Sequence, residues 1–228
     1  MSDHKPTHDD IRVNKLFQPD HTIAWKYLAD LDWPWEALSL ISLIVLKQIE
    51  ELNGNEYETR PGNVWIHKTA TVAPSASFGS DIIIGAGTDI RHCAYIRGPA
   101  IVGEWCVIGN STEIKNVILF DGVQIPHFNY VGDSILGYKT HFGAGVITSN
   151  VKSDSSLVCV ICGTERIETG YKKFGAIIGD NVEIGCNAVL NPGTIIGANS
   201  NVYPLSMVRG FIPPDSIYKK QGEIALKK

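Results

Sequence analysis

Residues 66–120 read IHKTATVAPSASFGSDIIIGAGTDIRHCAYIRGPAIVGEWCVIGNSTEIKNVILF. Steps of six from Ile66 land on Val72, Phe78, Ile84, Ile90, Ile96, Val102, Ile108, Ile114 and Phe120, and every one is bulky and apolar. Glycine follows directly at Gly79, Gly85, Gly103 and Gly109, and with a one-residue shift at Gly98. Four residues after each bulky position the side chain is mostly small: Ala70, Ala76, Thr88, Ala94, Ala100, Cys106 and Thr112, with Ile82 and Ile118 the larger cases. A second run starts at Ile178 and continues through Ile184, Leu190, Ile196, Val202 and Val208, with Val182, Ala188, Thr194, Ser200 and Ser206 as its small partners.

Six residues make one short strand and one turn, which is one wall of a triangular coil. Three walls bring the chain back above its start, so residues eighteen apart stack. The bulky residue fills the prism, the small one fits the corner, and glycine supplies turn conformations that a Cβ would strain. Each coil buries its faces against its neighbours, so several are needed. The fold expected is all-β, a parallel β-helix of hexapeptide repeats. Spacing does not set its hand, and ordinary parallel crossovers are right-handed.

The register is read as slipping near Pro126, recovering at Val131, Leu136 and Phe142, and breaking again after Asn150. Residues at about 151–176, with LVCVICGTERIETGYKKF, read as a strand, a glycine turn and a return, a loop extruded from one corner. Long insertions in solenoids carry function. The organisation expected is an N-terminal extension at 1–60, the β-helix at 61–208 and a C-terminal tail at 209–228. In the extension one amphipathic helix is expected from about Pro34 to Leu52, with proline in its first turn. Its apolar face is Leu38, Ile41, Val45 and Ile49, broadened by Leu40, Leu43 and Ile44. So broad a face predicts burial against the prism base or a partner chain, with a membrane-surface helix as the other reading, which the lack of basic residues disfavours.

The 228 residues carry a formal net charge of −4 and no basic run, which gives no support for nucleic-acid binding. The longest apolar stretch, Leu38 to Leu46, is too short to span a bilayer. The polar start MSDHKPTHDD has no apolar core of a secretory signal, so a cytoplasmic protein is expected. Five scattered cysteines, an odd number, argue against a disulfide framework. Cys159 and Cys162 form one Cys-x-x-Cys pair with no second pair to close a zinc site, and read as apolar positions of a strand; no metal is expected.

The polar residues concentrate between Arg97 and Asn150. Arg97 and Lys115 are eighteen apart and should stack on adjacent coils. Two stacked cations repel unless an anion lies between them, which points to a phosphate site; a solvated surface pair is the plainer reading. His127, in Pro-His-Phe-Asn-Tyr-Val-Gly-Asp, sits where the register slips and can be aimed out of the prism; an exposed or structural histidine is the alternative.

Residues 97–204 resemble the C-terminal acetyltransferase domain of the bifunctional bacterial enzyme that makes UDP-N-acetylglucosamine, and still more its archaeal sugar-1-phosphate relatives. The matching stretches are Arg97-Gly-Pro, Glu113-Ile-Lys115-Asn-Val, His127-Phe-Asn-Tyr130-Val-Gly-Asp, Phe142-Gly-Ala-Gly-Val-Ile-Thr-Ser-Asn150 and Lys173-Phe-Gly-Ala-Ile-Ile-Gly-Asp. Membership of the hexapeptide-repeat acyltransferases implies the left-handed form of the β-helix. It implies an acetyl-CoA-dependent N-acetyltransferase acting on an amino-sugar phosphate such as glucosamine 1-phosphate, needing no metal, and built as a homotrimer with sites shared between subunits.

The resemblance implies His127 as general base, for which imidazole suits near neutral pH, and Glu113 as the carboxylate orienting it. It implies Arg97 and Lys115 as sugar-phosphate ligands, Tyr130 and Asn150 as substrate-positioning groups, and Lys173 as a further phosphate or substrate contact. Acetyl-CoA would lie between adjacent prisms along the later coils, near Cys186 and Ala188, with backbone amides there polarising the thioester carbonyl. His141, Val151 and Cys186 depart from the bacterial pattern, which has Asn, Tyr and Ser there. The Trp-Pro-Trp-Glu-Ala-Leu segment resembles the linker after a nucleotidyltransferase domain. No Gly-rich nucleotide motif precedes the repeats, so uridylyl transfer is not expected. Two further classes stay open: a non-catalytic sugar-phosphate or nucleotide-sugar binding module, perhaps serving a separate nucleotidyltransferase, and a purely structural scaffold.

Overall fold

The computed structural model describes residues 6–220 and 223–227. Met1–Lys5, the first half of the polar start read above, lie outside the described residues. The chain from Val64 onward is a parallel β-solenoid of hexapeptide coils with three walls.

The first wall stacks Val64–His67, Ile82–Ile84, Ala100–Val102, the second half of Glu113–Leu119, the second half of Tyr130–Leu136, Ala176–Ile178, Thr194–Ile196 and Phe211–Ile212. The second wall runs from Thr71–Val72 through Val107–Asn110, Gln124–His127 and His141–Phe142 to Ser216–Lys220. The third holds Ser77–Phe78, Tyr95–Ile96, the first halves of the two seven-residue strands, Ile147–Thr148, Val189–Leu190 and Met207–Val208. The interior is the expected column, with Ile66, Ile84, Ile90, Ile96, Val102, Ile108, Ile114 and the second run through Val208 in one apolar cluster.

The register differs from the expected one at a defined place. Ile96 pairs with Ile114, eighteen on, but Val102 pairs with Leu119, only seventeen on. The slip therefore lies between Ile114 and Leu119, ahead of Pro126. Leu119 fills the prism, and Phe120 points outward against Phe17, ring centroids 4.9 Å apart. The next coil is short in the same way, since Leu119 pairs with Leu136. Each shortened corner turns on one left-handed residue, Asn116 at φ +53° and Asp133 at φ +49°, and Asn and Asp tolerate that conformation better than most side chains.

The first wall is apolar on both faces. Its middle residues, Ile83, Ile101, Ile118, Ile135, Ile177, Ile195 and Phe211, face outward yet are buried. The N-terminal extension and the hairpin cover them. The extension is not one helix. It holds short helical turns at His8–Ile11, Val13–Leu16 and Trp25–Leu28, a 3-10 helix at Pro34–Ser39 and an α-helix at Ile41–Ile49, with Leu40 between the last two. Glu36 accepts from Trp33 N at 3.1 Å and starts the 3-10 segment. Leu38, Ile41, Ile44 and Val45 are buried, while Leu43 and Leu46 stay about half exposed, so the face is narrower than the sequence indicates and lies on the first wall.

Two boundaries move. The coils run on past Val208, because Phe211–Ile212 and Ser216–Lys220 join the walls in parallel, and Glu223–Leu226 folds back antiparallel on the last strand. Residues 209–220 and 223–227 are thus largely built into the solenoid. The insertion is a hairpin, Cys159–Cys162 against Glu165–Glu168, and the chain re-enters the first wall at Ala176. Val160 and Cys162 face the core while Cys159 and Ile161 lie on the opposite face, so the two cysteines of the pair point apart. Burial pushes the Cys162 thiol up to about 11. Among the described residues no cluster of three metal-ligating side chains exists, and no helix is long and apolar enough to cross a membrane.

Candidate functional site

His127 ends its strand at the corner between the second and third walls, and its ring is exposed. The backbone there is firmly held. His127 N donates to Asn129 Oδ1 at 3.0 Å, the buried Asn129 donates to Gly143 O at 2.9 Å, and Gly145 N donates to His127 O at 3.0 Å. Phe128, at φ +52°, turns the chain. The ring is held by Asn110, one coil back: Nδ1 and Asn110 Oδ1 are 3.0 Å apart. With that oxygen as acceptor Nδ1 is the donor, and in the neutral ring Nε2 carries the lone pair.

Glu113 does not hold His127. Its Oε1 lies 2.9 Å from Arg97 Nη1, one coil back on the third wall. Asn110 contacts the ring because it pairs directly with His127 across the second wall, while Glu113, expected from the resemblance to orient the ring, stands on the third wall beside Arg97.

Arg97 and Lys115 do stack at the corner between the third and first walls, as their spacing requires. Each has a carboxylate neighbour. Arg97 has Glu113, and Lys115 Nζ lies 3.3 Å from Asp133 Oδ2. Asp133 is only 4% exposed and is the hub of this corner. Asn116 Nδ2 donates to its Oδ1 at 2.9 Å, and Asn150 Nδ2 donates to its Oδ2. A buried carboxylate needs such partners. Asn150 Nδ2 also donates to Tyr130 Oη at 3.3 Å, so four of the expected residues, Lys115, Tyr130, Asn150 and, through its return strand, Lys173, gather here. Phe174 N donates to Asn150 O at 2.9 Å, which brings the exposed Lys173 beside that corner. Burial raises the Tyr130 phenol above its ordinary value, and Asp133 and Glu113 add to this against the Asn150 hydrogen bond. It therefore stays a neutral donor at physiological pH. Sequence reasoning quoted Asp133 in a motif without giving it a role; an Asp at the second short corner was the available signal.

Cys186 is exposed on the corner column of His127, one coil beyond Gly143. A Cβ on Gly143 would lie 2.7 Å from Cys186 N and 2.9 Å from its Sγ, so only glycine lets the coils approach here. Ala188 is different. Its side chain is buried in the prism, its amide donates to Gly185 O and its carbonyl accepts from Ile147 N, so it presents nothing to a ligand. Its place in the repeat dictates this, since it is the small interior residue of its coil. His141 lies on the outer face of the second wall, with Nδ1 2.7 Å from Glu183 Oε2.

The family described as bacterial transferase hexapeptide (six repeats) matches residues 175–210. Over 220 residues, 96% of this chain and 53% of the relative, the chain is 35% identical to the bifunctional protein GlmU of Methanococcus maripaludis. It is 32% identical over 185 residues to the bifunctional sugar-1-phosphate nucleotidylyltransferase/acetyltransferase of Sulfurisphaera tokodaii, covering 80% of this chain and 46% of that one. The chain spans about half the length of these curated relatives. Among solved structures, the acetyltransferase domain of PglB from Neisseria gonorrhoeae aligns at a TM-score of 0.36 and 21% identity, covering 68% of this chain and 54% of that chain. Perosamine N-acetyltransferase from Caulobacter crescentus, an H141N mutant with CoA and GDP-perosamine, aligns at 0.28 and 19%, covering 72% and 55%. The chain is a hexapeptide-repeat solenoid, similar over nearly its whole length to the acetyltransferase half of GlmU-like bifunctional proteins.

Proposed function

We propose that the protein is an acyltransferase that uses acetyl-CoA to N-acetylate an amino-sugar phosphate, with His127 as general base. The observation that carries this reading is the His127 ring, exposed at a corner with Nδ1 held by Asn110 and Nε2 without a partner among the described residues. Nε2 would take a proton from the attacking amine as the N–C bond forms. When the C–S bond breaks, the imidazolium would return that proton to the CoA thiolate. The acetyl-CoA chain would follow the glycine-lined corner from Gly143 to Cys186. Lys115, Tyr130, Asn150 and Lys173, with Arg97, would receive the acceptor at the other edge of the third wall. Because the two corners lie on opposite edges of that wall, a homotrimer with third walls inward would set the His127 corner of one subunit against the Asp133 corner of the next. A cytoplasmic setting goes with acetyl-CoA as donor.

Acetyl-CoA consumption with amino-sugar 1-phosphates, in wild type and His127→Ala, tests this. No turnover with any amino sugar, or full turnover in the variant, overturns it. The departures from the bacterial pattern at His141 and Val151 favour a second reading, a non-catalytic sugar-phosphate binding module. Calorimetry separates the two, since such a module binds sugar phosphate but not CoA.

A further inference from the structure

The hairpin does more than cover the first wall. Between its outer face and the corner joining the third and first walls lies a cleft of about 390 Å³. Lys152, Arg166 and Arg209 line it together with Ser149, Asn191 and Asp154. The cleft is built by close backbone approach. Gly193 and Gly210, both at φ +79°, seat the hairpin: a Cβ on Gly193 would lie 2.8 Å from Cys159 O, and one on Gly210 3.0 Å from Ile161 O. Arg166 pairs across the hairpin with Ile161, whose side chain also lines the cleft. Arg209 comes from the opposite side, two coils beyond Ser149 on the same corner column.

The charges do not cancel. Asp154 is occupied, lying 3.6 Å from Lys152 Nζ and accepting from Ser156 N at 3.0 Å and Ser156 Oγ at 2.8 Å. Arg166 and Arg209 are in no ion pair among the described residues, and Glu168, on the hairpin face of Arg166, pairs with neither. Glu165 is drawn to the other face by His8. In a chain of net charge −4, two guanidinium groups without an ion-pair partner among the described residues line one cleft, whose carboxylate, Asp154, is taken up by Lys152. Planar guanidinium forks match phosphate oxygens in pairs, which answers their mutual repulsion.

We propose that Arg166 and Arg209 form a phosphate-binding site beneath the hairpin, and that its occupant is a phosphate group of one of the two substrates. The pocket stands on its own geometry, whereas assigning its phosphate to a substrate rests on the acetyl-transfer reading. On that reading the phosphate belongs either to the nucleotide end of the acetyl donor or to the acceptor.

The probe is inorganic pyrophosphate, titrated calorimetrically into the full chain at low salt, with Cys159 in the cleft lining as a reporter of thiol alkylation. Pyrophosphate should bind and slow Cys159 alkylation. Arg166→Gln and Arg209→Gln should each weaken binding about tenfold, since each removes a charged pair of hydrogen bonds. Arg91→Gln, which removes an arginine already paired with Asp89, should leave it unchanged. Equal binding by wild type, Arg166→Gln and Arg209→Gln, or no binding at all, overturns the site. Thermal melts confirm that each variant is folded. In steady-state kinetics a raised KM for acetyl-CoA in Arg209→Gln assigns the phosphate to the donor, and a raised KM for the amino-sugar phosphate assigns it to the acceptor. Unchanged KM values for both overturn the assignment to a substrate. If no acetyl transfer is seen while pyrophosphate still protects Cys159, the enzymatic reading fails and the pocket remains.

Discussion

His127 Nδ1 and Asn110 Oδ1 lie 3.0 Å apart across adjacent strands of the second wall, and Glu113, the carboxylate expected to orient the ring, is held by Arg97. An amide oxygen fixes the ring without placing a negative charge beside it. Asn110→Ala should therefore lower kcat more than Glu113→Gln. His127→Ala should lose about a hundredfold or more, the usual span for a removed general base. Glu113→Gln should instead lower the acceptor KM, since it frees Arg97 for the acceptor's phosphate. Steady-state kinetics across pH 6–9 for the three variants checks the order, and a Glu113→Gln defect in kcat equal to that of His127→Ala would contradict it.

Asp133 is the buried anchor of the opposite corner. Asp133→Ala strands Lys115 and removes one acceptor each from Asn116 and Asn150. Breaking a buried pair by deleting one partner costs about 3 kcal/mol or more. Urea unfolding should show a loss of that size, and Lys115→Met should also destabilise, by leaving a carboxylate that is 4% exposed. Asp154→Ala, which breaks an exposed pair, should leave the urea midpoint essentially unchanged.

The outward turn of Phe120 is testable as a coupling. If it packs on Phe17, the variants Phe17→Ala, Phe120→Ala and the double variant should be non-additive by about 1 kcal/mol, the size found for aromatic pairs in double-mutant cycles. A phenylalanine inside the prism would give additive losses.

The thiols should separate by environment. Burial pushes the Cys106 thiol up to about 12 and Cys162 up to about 11, so neither forms thiolate at pH 8, whereas Cys93 and Cys186 are exposed. Mass spectrometry after brief iodoacetamide treatment should find label on Cys93 and Cys186 first. The same shift has a thermodynamic face. Unfolded thiols ionise from about 9, so above that pH the unfolded state binds fewer protons and stability falls as pH rises toward the folded values. The slope should approach about 1.4 kcal/mol per pH unit for each thiol. Chemical denaturation between pH 8 and 11 measures it.

The prism was legible because interior packing repeats: a six-residue period in Ile66, Val72 and their successors has no competing explanation. The slip was misplaced because Phe120 is as apolar as Leu119, and periodicity cannot tell an inward side chain from one buried outside by a distant segment. The triplets Ile82-Ile-Ile84, Val117-Ile-Leu119 and Ala176-Ile-Ile178 held the missing signal, an apolar residue on the outer face of one wall in three. In the site, spacing placed Arg97 over Lys115 correctly but was silent on Glu113 and Asp133, whose side chains reach across coils. Ala188, expected near acetyl-CoA from the resemblance, occupies the small interior position of its own repeat, and the period alone already marks it as such. The broken helix after Ser39 reflects a local conflict between proline-started 3-10 geometry and the α-helix that follows, which apolar patterning does not register.

A triangular prism has three sides on which another copy of itself could be laid, and stacked strands alone do not choose among them. The outward isoleucines of the first wall settle part of that choice, because the chain's own leading segment and hairpin already lie on them. Any assembly is left with the second and third walls, so the order in which copies meet is written by a segment that takes no part in meeting them.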